Sequence, residues 1–117
     1  MANDYKTEQE KFWAGEFGDN YINRNMDEKQ LASYIHKWST ILNRVGEINT
    51  CFEIGSNIGL NFMALGALFP HMEMCGVEIN KKAAEECNKL KRVTVYNQSV
   101  LDFNTEKKFD LVFSSGF

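Results

Sequence analysis

The sequence lacks the features that identify nucleic-acid-binding, membrane-spanning, secreted and disulfide-rich proteins. With a net charge of −3, it offers no basic surface for nucleic acid or for an anionic membrane. No apolar run approaches the length of a membrane span, and the polar first residues lack the apolar segment of a signal peptide. Its three cysteines, Cys51, Cys75 and Cys87, form no C-x-x-C motif and cannot all pair. We therefore expect reduced thiols, no metal site and a cytoplasmic protein.

What is present suffices for one small domain with an apolar core. Capping patterns and apolar residues at three- and four-residue steps predict two helices, from Thr7 to about Gly15 and from about Asp27 to Arg44. We predict a helical cap over residues 1–46 and an α/β core over residues 47–117. The predicted elements of the core are a strand at Thr50–Ile54, a helix at Leu60–Phe69, a strand at Glu73–Ile79, a helix at Asn80–Leu90, a strand at Val93–Tyr96 and a strand at Phe109–Phe113.

The stretch from Thr50 to Asn61 combines a buried strand, a glycine turn and the start of a helix. Such a turn lies at the carboxyl edge of a parallel sheet, where cofactors bind. A dinucleotide fingerprint would need glycine at the first, third and sixth loop positions, which hold Gly55, Asn57 and Leu60. Two of the three positions fail, so a nicotinamide site fits poorly.

The loop instead reads Glu53-x-Gly55-x-Asn57-x-Gly59, with Ser56 inside it. This resembles the first motif of the class I S-adenosylmethionine-dependent methyltransferases, E/D-x-G-x-G-x-G, with asparagine in place of the middle glycine. Asparagine tolerates a positive φ better than most residues, so the departure is mild. A glycine turn in some other α/β domain remains the alternative.

Glu78 lies at the carboxyl end of the second predicted strand, 19 residues after Gly59. Neighbouring parallel strands end side by side, so its carboxylate can accept hydrogen bonds from both ribose hydroxyls of an adenosine cofactor, with Ile79 beside it. The alternative is an acidic residue at the start of the helix near Asn80. We favour the ribose role because the glycine loop stands at the matching distance.

In the methyltransferase pattern, the turn after the third strand carries a residue that binds the adenine amine. By register this residue is Ser99, where aspartate is commoner, and Asp102 could supply the carboxylate instead or simply cap a turn. Val100 belongs to the same group. Phe-Asp-Leu-Val-Phe-Ser-Ser-Gly resembles the family's fourth motif and places Ser114 at the cofactor edge.

The segment Thr7–Asn25 resembles the N-terminus of the pseudaminic acid biosynthesis-associated methylases, and the later motifs follow in that family's order. Its aromatic residues either pack an N-terminal arm onto the domain or make it a lid, with Tyr21 or Arg24 reaching the methionine end of the cofactor. The two interpretations are compatible. The resemblance implies methyl transfer in a bacterial nonulosonic-acid pathway.

The resemblance implies a Rossmann-like class I methyltransferase fold with N-terminal helices, binding S-adenosylmethionine and releasing S-adenosylhomocysteine. That fold has strand order 3-2-1-4-5-7-6, of which the sequence supplies 3-2-1-4. We expect either a longer chain or a fourth-strand edge covered by a partner, for example a homo-oligomer. The acceptor is a small molecule, and no catalytic base is identified. A non-catalytic cofactor-binding or scaffold protein and, less favoured, a nucleotide-dependent oxidoreductase remain open, as does activity of this chain alone.

Overall fold

The structure is a computed structural model that describes residues 7–14 and 28–115. Its elements, in chain order, are α1 (Glu8–Ala14), α2 (Glu28–Ile41), β1 (Thr50–Ile54), α3 (Leu60–Leu68), β2 (Glu73–Val77), α4 (Lys81–Cys87), β3 (Val93–Tyr96), a 3₁₀ turn (Val100–Asp102) and β4 (Leu111–Ser114). Every predicted helix and strand is present within the described residues. The N-cap of α2 predicted at Asp27 lies outside them.

The four strands form one parallel sheet in the order β3-β2-β1-β4, which confirms the predicted order. β1 pairs with β2 from Thr50 opposite Glu73 to Ile54 opposite Val77. It pairs with β4 on its other side, where Cys51 faces Leu111. All four carboxyl ends therefore meet at one edge of the sheet, and the loops that follow β1, β2 and β3 leave from that edge.

The core lies between one face of the sheet and helices α2, α3 and α4. Trp38 from α2 and Phe62 and Leu65 from α3 are buried in it with residues of β1, β2 and β3. The ring of Trp38 meets that of Phe113 edge-on, with centroids 4.7 Å apart. Helix α2 therefore shares its core with the sheet, while the division of the chain at residue 46 stays a prediction.

The other face of the sheet carries no helix among the described residues. The chain crosses it as an extended segment after the 3₁₀ turn. The rings of Phe103 and Phe109 pack against Phe52, with centroids 5.0 and 5.2 Å away. Cys75 and Lys107 help to line a cavity of about 410 Å³ beside these rings. This face is less completely buried than the helical face.

Element ends differ from the predictions by up to three residues, for local reasons. β4 begins at Leu111 rather than Phe109, because Phe109 packs across the sheet and Asp110 accepts hydrogen bonds from the backbone N–H groups of Asn49 and Thr50. α4 ends at Cys87 rather than Leu90. Within the described residues, no helix is long and apolar enough to cross a membrane.

Candidate ligand-binding site at the carboxyl edge of the sheet

The loop after β1 is held in a tight, largely left-handed conformation. Gly55, Asn57 and Gly59 have φ angles of 75°, 52° and 94°. Asparagine thus occupies the left-handed region that the motif reserves for glycine. The N–H of Gly55 donates to the Val77 carbonyl at 2.9 Å, which ties the loop to the end of β2. α3 begins directly after Gly59 without a side-chain cap. Because it follows β1, it starts at the same edge of the sheet.

Glu78 bridges the loops that follow β1 and β2. Its Oε1 accepts from the backbone N–H of Asn57 at 2.7 Å, and its Oε2 accepts from the backbone N–H of Asn80 at 2.7 Å. The side chain of Asn80, rather than Glu78, caps α4 by accepting from the N–H of Ala83. Burial raises the pKa of Glu78, and its backbone hydrogen bonds oppose that rise. The backbone groups of Asn80, Asn57 and Ile79 all act on this carboxylate, and its remaining acceptor capacity is available for a ligand hydroxyl.

Glu53, at the end of β1, is the most deeply buried acidic side chain of the site, with 1% of its surface exposed. Its Oε2 accepts from Nδ2 of Asn61 at 2.6 Å. Its Oε1 has no hydrogen-bond partner in the part of the chain that the structure describes. Burial raises the pKa of Glu53 to about 8, although the Asn61 hydrogen bond and the charge of Lys37 lower it. A buried acceptor without a partner is costly unless a donor joins it.

Asn61 connects Glu53 to helix α2. Its Oδ1 accepts from Nε1 of Trp38 at 2.8 Å and from Nζ of Lys37 at 3.0 Å. Sequence reasoning did not identify this network. The available signal was a polar residue between Leu60 and Phe62 on a helix that is otherwise apolar. The network fixes which oxygen of Glu53 remains available.

Ser99 is 97% buried where the chain leaves β3. Its Oγ accepts from the N–H of Leu101 at 3.1 Å and donates to Oε2 of Glu10 at 2.6 Å. Val100 is half-buried beside it. Asp102 is exposed and lines the cavity behind the sheet with Cys75 and Phe103, so the structure does not bring it to the glycine loop.

Helix α1 lies across the loops that follow β2 and β3. Besides the contact of Glu10 with Ser99, the Ala14 carbonyl accepts from Nδ2 of Asn80 at 3.4 Å. The predicted capping of α1 is present, since the Glu10 N–H donates to Oγ1 of Thr7 at 3.0 Å. The predicted site residue Tyr21 lies outside the described residues, and so does Arg24. Sequence reasoning did not identify Glu10.

The remaining predicted residues form the surroundings of the site. Ser56 is buried with its Oγ 3.4 Å from Sγ of Cys87, which donates to the Asn57 carbonyl at 2.8 Å. The Ile79 carbonyl accepts from Nδ2 of Asn97 at 3.0 Å. Ser114 is exposed at the end of β4, opposite Ile54 of β1. Burial raises the pKa of the Cys87 thiol to about 12, so this cysteine supports the loop as a neutral group.

The described residues contain no group of three or more His, Cys, Asp or Glu side chains that could hold a metal ion. The polar side chains of the edge are instead two buried carboxyl groups and one hydroxyl, since the N–H groups of Gly55, Asn57 and Gly59 already donate to protein oxygens. Such a set suits a ligand that carries hydroxyl and amino groups.

Several solved structures resemble this chain. The plantazolicin methyltransferase BpumL, in complex with SAH (S-adenosylhomocysteine), matches with a TM-score of 0.65 at 16% identity, over 90% of this chain and 44% of BpumL. The sugar N-methyltransferase KedS8 from Streptoalloteichus sp ATCC 53650 matches with a TM-score of 0.64 at 19% identity, over 98% and 44%. DesVI of Streptomyces venezuelae matches with a TM-score of 0.59 at 17% identity, over 95% and 44%.

The chain therefore spans about 44% of the length of each of these structures. No protein-family model matches the sequence, and no curated protein does so either. The likenesses show the fold: the sheet is the 3-2-1-4 portion of a Rossmann-like methyltransferase fold.

Proposed function

We propose that the chain binds S-adenosylmethionine and takes part in transferring its methyl group to a small molecule. One observation carries the proposal. The glycine loop, Glu53 and Glu78 meet at the carboxyl edge of a sheet whose fold is shared with a methyltransferase crystallised with SAH. The sequence resemblance to the first methyltransferase motif covers Glu53 and the glycine loop.

The residues fit the chemistry of this cofactor at both ends of the site. The unpartnered Oε1 of Glu53 suits a cationic donor such as the ammonium of the methionine part. Glu78 carries acceptor lone pairs for a ribose hydroxyl, and the turn at Gly55 brings no side chain to this edge. When bound, the sulfonium supplies an activated methyl group for direct displacement. The chain's own residues then serve to orient donor and acceptor in line.

For the acceptor, we propose a sugar or nonulosonic acid, with pseudaminic acid pathway intermediates as the specific candidates. Two observations support this choice. The segment Thr7–Asn25 and the later motifs resemble the pseudaminic acid biosynthesis-associated methylases. KedS8, a structural neighbour, is described as a sugar N-methyltransferase. We propose a bacterial setting on the same resemblance, and a cytoplasmic one because the three cysteines form no C-x-x-C motif and cannot all pair.

A further part of the proposal concerns assembly. β4 pairs only with β1 among the described strands, and Val112 in it is 58% exposed. An apolar edge strand favours pairing with another chain, and we propose a second copy as that partner. Light scattering should then give twice the monomer mass. A monomeric mass at micromolar concentration would contradict this part of the proposal alone.

Calorimetric titration with SAH tests cofactor binding. Wild type and Glu73→Ala, whose carboxylate is exposed at the far end of β2, should bind saturably. Glu78→Ala should lose at least tenfold in affinity while retaining its circular dichroism spectrum. NAD should not compete, because Asn57 and Leu60 replace two glycines of its fingerprint. A folded wild type that releases no binding heat, or NAD that displaces SAH, would contradict the proposal.

A further inference from the structure

The contact between Glu10 and Ser99 joins residues 89 positions apart in the sequence. Ser99 follows β3, and Glu78 follows the adjacent β2, so the two mark neighbouring points on the same edge of the sheet. If Glu78 binds the ribose, the adenine ring extends toward Ser99. A role of Ser99 or Glu10 in binding adenine therefore rests on the proposed function.

Ser99 is a weaker hydrogen-bond acceptor for the adenine amine than the carboxylate beside it. An adenine 6-amino group is a hydrogen-bond donor and needs an acceptor. The Ser99 hydroxyl donates its one proton to Oε2 of Glu10 and accepts from the N–H of Leu101, which leaves one lone pair on a neutral oxygen. A carboxylate accepts more strongly than a neutral hydroxyl. The carboxylate of Glu10, which accepts from the Ser99 hydroxyl, is the charged acceptor beside Ser99.

Helix α1, which carries Glu10, is held over this edge at two points. The Ser99 hydroxyl fixes the carboxylate of Glu10 at one point, and the Ala14 carbonyl accepts from Nδ2 of Asn80 one turn further along the helix. Asn80 also binds Glu78 through its backbone N–H. The same short helix is thus tied to the loop after β2 and to the loop after β3.

We propose that Glu10 recognises the 6-amino group of the adenine ring, with Ser99 as the residue that positions its carboxylate. Helix α1 thereby supplies from the N-terminal segment the acidic group that the turn after β3 lacks at position 99. The consequence is specificity for an adenine base. A carbonyl at position 6 would face the carboxylate acceptor and repel it, and sites built around one polar partner reject analogues that lack it.

The test compares SAH with S-inosylhomocysteine, in which a carbonyl replaces the 6-amino group. Calorimetry on the wild-type chain should show at least a tenfold preference for SAH. Glu10→Gln should reduce that preference to threefold or less, because an amide can also donate to a carbonyl. Ser99→Ala should reduce it partially, since the carboxylate loses its hydrogen bond. The matched control is Glu8→Gln on the same helix, whose carboxylate is 92% exposed and pairs with Lys11.

The ratio of the two affinities separates recognition from a merely structural role. If Glu10 only packed α1 onto the domain, its substitution would weaken both ligands equally and leave the ratio unchanged, which would overturn the inference. An equal change in Glu8→Gln would overturn it as well. If the folded wild type binds SAH and Glu10→Gln shows the same ratio of affinities as the wild type, only this inference is contradicted. If the folded wild type binds neither ligand, the proposed function is overturned as well.

Discussion

The backbone N–H of Asn57 donates to Oε1 of Glu78 at 2.7 Å, which joins the glycine loop after β1 to the end of β2. The same carboxylate accepts from the N–H of Asn80 through its other oxygen. A single buried side chain thus sets the distance between two loops of the candidate site. Glu78 therefore contributes to the shape of the site as well as to its chemistry.

Replacing Glu78 with glutamine should destabilise the protein even without a ligand. The amide keeps one acceptor oxygen and turns an NH₂ group toward a backbone N–H, so one buried donor loses its partner. We expect the free energy of unfolding to fall by about 1–3 kcal/mol at pH 8. Urea unfolding measures this change. Glu73→Gln, at the exposed start of β2, is the control, and an equal loss in both variants would contradict the bridging role.

Gly59 should not tolerate a side chain. Its φ of 94° is unfavourable for alanine, and an added Cβ would lie 2.8 Å from Cδ1 of Leu90 and 3.2 Å from Sγ of Cys87. Gly59→Ala should therefore lower the free energy of unfolding by about 2 kcal/mol or more. A Cβ at Gly46 meets nothing within 4 Å, so Gly46→Ala should change it by less than about 0.5 kcal/mol. Equal stability of the two variants would show that the loop conformation is not as described.

The raised pKa of Glu53 predicts that the free energy of unfolding depends on pH. The pKa of Glu53 is raised to about 8 in the folded protein, from an ordinary value of 4.5. Between these values the folded state retains a proton that the unfolded chain has lost, so the free energy of unfolding falls as pH rises. Glu53→Gln removes this proton, and the decline should become shallower by up to about 1.4 kcal/mol per pH unit.

Chemical denaturation at several pH values between 5 and 8 checks this prediction. The raised pKa of Glu78 contributes a decline of the same sign, so Glu53→Gln should keep part of the slope. Identical slopes in wild type and variant would refute the assignment of a raised pKa to Glu53.

Replacing Asn61 should lower the free energy of unfolding more than replacing an exposed asparagine. Its side chain is the partner of Nε1 of Trp38 and of Oε2 of Glu53, both buried. Asn61→Ala leaves both atoms without that partner and should cost about 2–5 kcal/mol in the free energy of unfolding. Asn43→Ala, at an exposed position, should cost less than about 0.5 kcal/mol. A similarly small effect of Asn61→Ala would mean that water replaces the network without loss.

The sequence sufficed for features that depend on neighbouring residues. The strand at Thr50–Ile54 and the left-handed Asn57 both follow from local residue types. The sheet order follows from the class I resemblance. Helix ends were less predictable, because tertiary contacts compete with the helix: Asn88, for example, binds both backbone groups of Val95.

Contacts between distant segments could not be predicted from residue types. Glu10 meets Ser99 only because α1 packs over the loops after β2 and β3. Asn61 meets Trp38 only because α2 packs against α3. The direction of Asp102 depends on the 3₁₀ turn, which carries it to the cavity behind the sheet. In each case the partner is determined by packing that a local pattern does not encode.

The most direct test of the central claim is a map of backbone amide chemical shifts in the ¹⁵N-labelled chain as SAH is added. Cofactor binding at the carboxyl edge predicts the largest changes at Gly55–Gly59, Glu78–Asn80 and Ser99–Leu101. Shifts that concentrate instead around Cys75 and Phe103, or no shifts at all, would contradict the assignment of this edge as the cofactor site.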